Sequence, residues 1–266
     1  HKIDILDSLN QDAELKNYLS LNQKREYFFL KLSFTSYLET LFTKLIKSID
    51  GFGFLGALLI TIIWLFYFRW LDIFEREKWY HIALVFSISC LFAYSSFYFY
   101  DLLNLTFHFN TNGFWLNDLF YCIFGIGFIE EAVKMIPFLL FIYFSDAANE
   151  PIDYIIYASV SAIGFAFVEN LLYFQNGTYH IMHGRALASV VAHMACSSIM
   201  AYGVIVSRYK SKKPLWLTLS FSFFMAAVVH GLYDFWIINY TVHSFSFVTF
   251  FILLGSVLIW NSLKNN

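Results

Sequence analysis

Four fragments of this chain place ionisable side chains inside strongly apolar runs. They are Glu130-Glu131-Ala132-Val133-Lys134, Phe165-Ala166-Phe167-Val168-Glu169-Asn170, Arg185 leading to His193, and His230-Gly231-Leu232-Tyr233-Asp234. Glu130 and Lys134 are four residues apart with the acid first, the favourable order on one helix face. Glu131 points about 100° away from Glu130. His230 and Asp234 are also four apart. A carboxylate one turn from an imidazole can share an ion with it or fix its tautomer. Phe165 and Glu169 share a face with Asn170 beside them, and His193 lies mid-run with Arg185 two turns earlier, near the membrane edge.

With every carboxylate ionised and both histidines neutral, Glu130, Glu131, Glu169 and Asp234 carry −4, and Lys134 reduces this to −3. A single charge at mid-bilayer costs roughly 2.5–3.5 kcal/mol on insertion scales, so an apolar interior does not hold this set unaided. Two chemistries answer the cost. One is a divalent cation with one protonated carboxylate. The other is protonation of most carboxylates, as in a proton relay. Imidazole plus carboxylate is a donor set typical of zinc. Taken singly, each fragment has a structural explanation, an ion pair or a helix-to-helix hydrogen bond. Four in succession require a common purpose.

The elements that position them are helices. The 266-residue chain is 59% hydrophobic and 22% aromatic, with 14% charged residues, against about 25% charged in soluble domains. It reads as an all-α, polytopic membrane protein of about seven transmembrane helices, near 52–69, 80–101, 118–144, 152–174, 186–206, 215–237 and 245–262. Residues 1–50 read as an N-terminal extramembrane segment and 51–266 as the transmembrane domain. Apolar residues at Phe34, Leu38, Leu41, Leu45 and Ile49 predict an amphipathic helix on the membrane surface, stopped at Asp50-Gly51. Arg69, Arg76 and Lys78 follow the first span, and Arg208, Lys210, Lys212 and Lys213 follow the fifth. The positive-inside rule places both loops in the cytoplasm and residues 1–50 outside, against the seven Lys and Arg in that segment.

A net charge of −2 gives no reason for a nucleic-acid partner, and Cys90, Cys122 and Cys196 have neither disulfide nor metal-site spacing. The first residue is His1 rather than Met, so the natural start is expected to lie upstream. Other membrane-embedded protease signatures are missing. There is no His-Glu-x-x-His. Gly125-Ile126-Gly127-Phe128 lacks the Asp of presenilin-type enzymes, and no rhomboid-type Gly-x-Ser-x occurs. Ser197 or Cys196 as nucleophile would leave the carboxylates unexplained.

The ordered set resembles the PrsW family of intramembrane proteases, distant relatives of the CAAX prenyl endopeptidases. The matching residues are Glu130-Glu131-x-x-Lys134, Phe165-x-x-x-Glu169-Asn170, His193 and His230-x-x-x-Asp234, together with the approach Asn149-Glu150-Pro151-Ile152-Asp153. Asp72-Ile73-Phe74-Glu75-Arg76-Glu77 resembles the acidic loop after that family's first helix. Departures are Lys78 in place of Pro, Tyr154 in place of Gly, and Ser197 in place of Gly. The resemblance covers roughly residues 52–240 and implies a multi-pass protease of the bacterial cytoplasmic membrane. Its substrate would be a membrane-protein helix, such as an anti-sigma-factor-like single-span protein. On this reading Glu169, His193 and His230 hold zinc and leave one position for water. Glu130 or Glu131 moves the proton, and Lys134 keeps the glutamates ionised. Asp234 orients His230 or serves as fourth ligand, and Asn170 donates to the oxyanion. The rival classes are an ion- or proton-coupled transporter and a non-catalytic scaffold of the same fold.

Overall fold

The computed structural model describes residues 7–8, 19–72, 75–174, 184–211 and 213–239. The last expected span, 245–262, lies outside them. The described residues form helices and no strands. In chain order these are α1 (Leu21–Leu30), α2 (Phe34–Ser48), α3 (Gly51–Leu71), α4 (Trp79–Asp101), α5 (Trp115–Phe120), α6 (Phe128–Phe144), α7 (Pro151–Tyr173), α8 (Val190–Ile205) and α9 (Leu215–Asn239). Wider π-helical stretches prolong α4 (Leu102–Thr106), join α5 to α6 (Tyr121–Gly127), and flank α8 (Arg185–Ser189 and Val206–Lys210).

Among the described residues, five helices are long and apolar enough to cross a membrane: Gly51–Leu71, Trp79–Thr106, Pro151–Tyr173, Val190–Lys210 and Leu215–Asn239. The chain is an integral membrane protein. The run from Trp115 to Phe144 matches the expected third span in position, but Glu130, Glu131 and Lys134 make it too polar to count by composition. The expected seven spans are therefore not reached among the described residues.

Polarity sorts the helices. Every residue of α7 from Ile152 to Ala166 is buried, and α8 is almost as enclosed. Helices α3, α4, α6 and α8 pack around α7. The outer helices keep apolar surface on the far side: Leu55, Leu59, Ile63 and Phe66 of α3 are all exposed. Lipid tails suit such a surface, so the core is set by packing and polar pairing rather than by escape from water.

Small residues bring the site-bearing helices together. A Cβ on Gly127 would collide with the backbone of Ala227, and one on Gly231 with the backbone of Ile123. The wide Tyr121–Gly127 stretch thus lies directly against α9, three residues before Glu130 and one residue after His230. π-helical turns of this kind recur at functional sites. Pro137 gives α6 no N–H for the Val133 carbonyl. One turn away, the Ser161 hydroxyl donates to the Lys134 carbonyl at 2.7 Å.

The two ends of the bundle differ. At one end the basic loops meet. Asn149 Nδ2 donates to Glu75 at 3.3 Å, Tyr209 donates to the Asn149 carbonyl at 2.8 Å, and Arg208 donates to Tyr154 at 2.5 Å. The loops after α3 and α8 therefore share one end, as positive-inside alternation requires. Loop 145–150 is fastened there: Asp153 accepts from the amides of Asn149 and Glu150, and Tyr154 donates to the Ala148 carbonyl. Burial pushes the Asp72 and Glu77 carboxyls above their ordinary range at this end. At the other end, α1 and α2 form a hairpin clamped to α4, where Asp101 accepts from Arg25 Nη2 at 3.0 Å and Tyr37 at 2.9 Å. Helix α2 buries Tyr37 and Leu41 and leaves Phe42 and Ile46 exposed.

Gly231→Ala is expected to lower the thermal midpoint in detergent, because backbone on both sides cannot yield; overpacking of this kind costs about 1–3 kcal/mol. Gly51→Ala, with nothing within 4 Å, is the matched control and is expected to leave the midpoint unchanged.

Candidate functional site

The four charged fragments converge on one point, toward the hairpin end of the bundle. Glu169 lies about 24 Å along α7 from Asp153, at 1.5 Å per residue. Lys134 is at the centre with no solvent exposure. Its ammonium lies 2.6 Å from Glu131 Oε1, 3.0 Å from His193 Nδ1, 3.4 Å from His230 Nδ1 and 3.8 Å from Glu130 Oε2. The ring of Phe165 closes one side, its centroid 4.9 Å from Nζ.

The two adjacent glutamates have different surroundings. Glu131 is fully buried, paired with Lys134 and His230 Nδ1 (2.8 Å), and accepts from Ser197 at 3.3 Å. Glu130 faces a cavity of about 510 Å³. Tyr100 donates to its Oε1 at 2.7 Å, while Oε2 is buried without a hydrogen-bond partner among the described residues.

An ionised carboxylate only accepts hydrogen bonds, so its contacts show which imidazole nitrogens can donate. His230 Nδ1 lies 2.8 Å from Glu131 Oε1, and its Nε2 lies 3.4 Å from Glu130 Oε2 and 3.3 Å from Asp234 Oδ2, so carboxylates flank both of its ring nitrogens. His193 gives its Nε2–H to Glu169 at 2.9 Å and turns the Nδ1 lone pair toward Lys134. Glu169 is in turn held by Arg185 Nη2 at 2.5 Å, and Arg185 Nε donates to Asn170 Oδ1 at 2.6 Å. Arg185 also stacks on Tyr173, 4.0 Å from the ring centroid.

This arrangement brings all the sequence-derived candidates into one group, with different neighbours from those expected. Glu169 lies on the far ring nitrogen of His193, away from the lone pair that faces the centre. Glu130, His193 and His230 instead offer three donor atoms within 4.8 Å of one another. Asn170 is buried against Arg185 and does not line the cavity. Sequence reasoning left Arg185 at the membrane edge and did not single out Tyr100. Both belong to the site. Arg185 changes the charge count: two cations against four carboxylates leave −2, which one divalent cation brings to zero.

That cation fits what is present. Two carboxylate oxygens lie within 3.4 Å of His230 Nε2, and both Nε2 and Glu130 Oε2 lack hydrogen-bond partners among the described residues. Buried polar atoms are seldom left so.

The comparisons agree with the motifs. A family described as "PrsW family intramembrane metalloprotease" matches residues 77–259, more than half of the chain. The chain belongs to the PrsW family. Curated relatives named "Protease PrsW" include one from Clostridioides difficile, 30% identical over 191 residues, 68% of this chain and 77% of that protein. Another, from Halalkalibacterium halodurans, is 32% identical over 153 residues, 57% of this chain and 70% of the relative. A third, from Geobacillus kaustophilus, is 34% identical over 109 residues, covering 40% of this chain and 47% of the relative. The chain thus spans about half the length of the Geobacillus relative and 66% of one from Oceanobacillus iheyensis. No solved structure matches. All four charged fragments fall within the residues matched to the PrsW family, and the α1–α2 hairpin falls outside them.

Removing one partner of the central ion pair strands a buried charge, which costs about 3–5 kcal/mol. Lys134→Met is therefore expected to lose most of the folded protein in a detergent melt, and Lys134→Met with Glu131→Gln to recover a large part of it. Equal melting of the parent and Lys134→Met would show that the pair carries no such strain.

Proposed function

We propose that this chain is an intramembrane endopeptidase that hydrolyses a peptide bond of a membrane-protein substrate, using a carboxylate-activated water beside a divalent cation. The observation that carries the reading is the cavity. Its walls are mainly apolar and aromatic, yet Glu130, Glu169, His193 and Asp234 all face it. A pocket of that character suits an unwound apolar segment with its peptide group against the polar side.

Glu130, His193 and His230 would hold the cation, and zinc suits their nitrogen and oxygen donors. A bound divalent ion supplies acidity to water and polarises a carbonyl. The remaining roles belong to the chain. Tyr100 fixes Glu130 through Oε1, Glu131 fixes the tautomer of His230, and the Arg185–Glu169 pair fixes that of His193. Asp234, one-fifth exposed to the cavity, takes the proton of the attacking water and returns it to the leaving amine. Relative to the sequence reading, Glu169 passes from ligand to support, and the proton carrier from Glu130 or Glu131 to Asp234. The reason is which faces of the helices meet.

One observation favours a second reading. The Lys134 ammonium already stands 3.0 Å from His193 Nδ1, where a metal would compete with it. In a metal-free enzyme Lys134 is the resident cation and Glu130 Oε2 takes the proton. The substrate class is a single-span membrane protein, anti-sigma-factor-like proteins among them. The setting is the lipid bilayer, a bacterial cytoplasmic membrane.

Purified protein assayed against a panel of single-span reporters is expected to cleave at least one. Asp234→Asn should lower kcat by 100-fold or more, on the order expected for a lost proton carrier, while keeping its metal content. Glu130→Gln, His193→Ala and His230→Ala should lose the metal, and Glu169→Gln should retain most of it. Full cleavage after chelation, with no metal in the parent, would select the Lys134 reading. No cleavage across the panel, with proton-coupled uptake in proteoliposomes, would select the transporter class.

A further inference from the structure

Peptide hydrolysis needs a hydrogen-bond donor at the carbonyl oxygen, and the proposed reading leaves that place unfilled. Lys134 and Asn170 are both enclosed, and neither lines the cavity. Among the donors that do line it, Tyr233 and Arg185 stand out. The Tyr233 hydroxyl is buried and makes no hydrogen bond of good geometry among the described residues, with the Ser189 hydroxyl a weakly interacting neighbour on the cavity wall. Arg185 is the one cationic side chain on the cavity wall among the described residues. Its Nε and Nη2 are engaged, and no contact with Nη1 is found among the described residues.

A buried phenol with an unmet donor is destabilising. An unmet donor on the wall of a cavity has an acceptor to wait for. We propose that Tyr233, assisted by Arg185, donates to the scissile carbonyl oxygen as it becomes an oxyanion. This rests on the peptidase reading above. The water oxygen bonds to the carbonyl carbon, its proton goes to the cavity carboxylate, and the C=O π pair moves onto oxygen. Tyr233 Oη–H and Arg185 Nη1–H stabilise that charge. The pair then returns as the C–N bond breaks and the amine nitrogen takes the proton.

The test is Tyr233→Phe, which deletes only the unpartnered oxygen. It is measured with a single-span reporter that the parent cleaves. Expected are a 100- to 1,000-fold fall in kcat, the range for a lost oxyanion donor, KM within threefold, and a melting midpoint in detergent equal to or above the parent's. Arg185→Lys should retain more kcat than Arg185→Gln, because it keeps a cation but not the fork. Unchanged kcat in Tyr233→Phe with an active parent overturns the assignment. So does a fall in kcat that follows a lower midpoint, which marks a structural hydroxyl. A parent inactive on every reporter counts instead against the peptidase reading itself.

Discussion

A lysine ammonium and a glutamate carboxylate 2.6 Å apart, neither exposed to solvent, sit at the middle of a helical membrane protein. Neither charge is tolerable there alone, and the attraction between them repays desolvation only when further polar groups complete the shell. His193, His230, Glu130 and Ser197 supply that shell. Each comes from α6, α8 or α9, so the pair dictates which helices must meet and with which faces. The enclosure of α7, the glycines at the α9 crossing and the wide turn before Glu130 all serve that meeting.

The group is layered by access. Glu131 and Lys134 form a sealed inner pair, while Glu130, Glu169, His193 and Asp234 face the cavity. Glu169, Arg185 and Asn170 form a brace behind His193. A carboxylate on the far nitrogen of a histidine is the usual way to aim the near one, and both site histidines have such a partner.

Much of this was legible in the sequence. Apolar run lengths predicted the helices, and the i,i+4 spacing of Glu130 with Lys134 and of His230 with Asp234 predicted shared faces. The order of motifs led to the PrsW family. Three things were not legible. Glu130 and Glu131 differ by about 100° of rotation, and choosing between them requires knowing which neighbour each face meets. Arg185 follows a connecting segment, so spacing along the chain says nothing about its reach to Glu169. Tyr100 and Tyr233 are two of 18 tyrosines in a chain 22% aromatic, and composition hides a phenol that carries a role. In each case the missing information is tertiary.

The central claim is that the buried charges enclose a cation held by two imidazoles and a carboxylate. X-ray absorption at the zinc edge of protein purified in mild detergent tests it most directly. The account predicts about one equivalent of metal with a nitrogen and oxygen shell, multiple-scattering features of two imidazoles, and no sulfur. Protein that retains no metal, or a shell containing sulfur or a single imidazole, would contradict it.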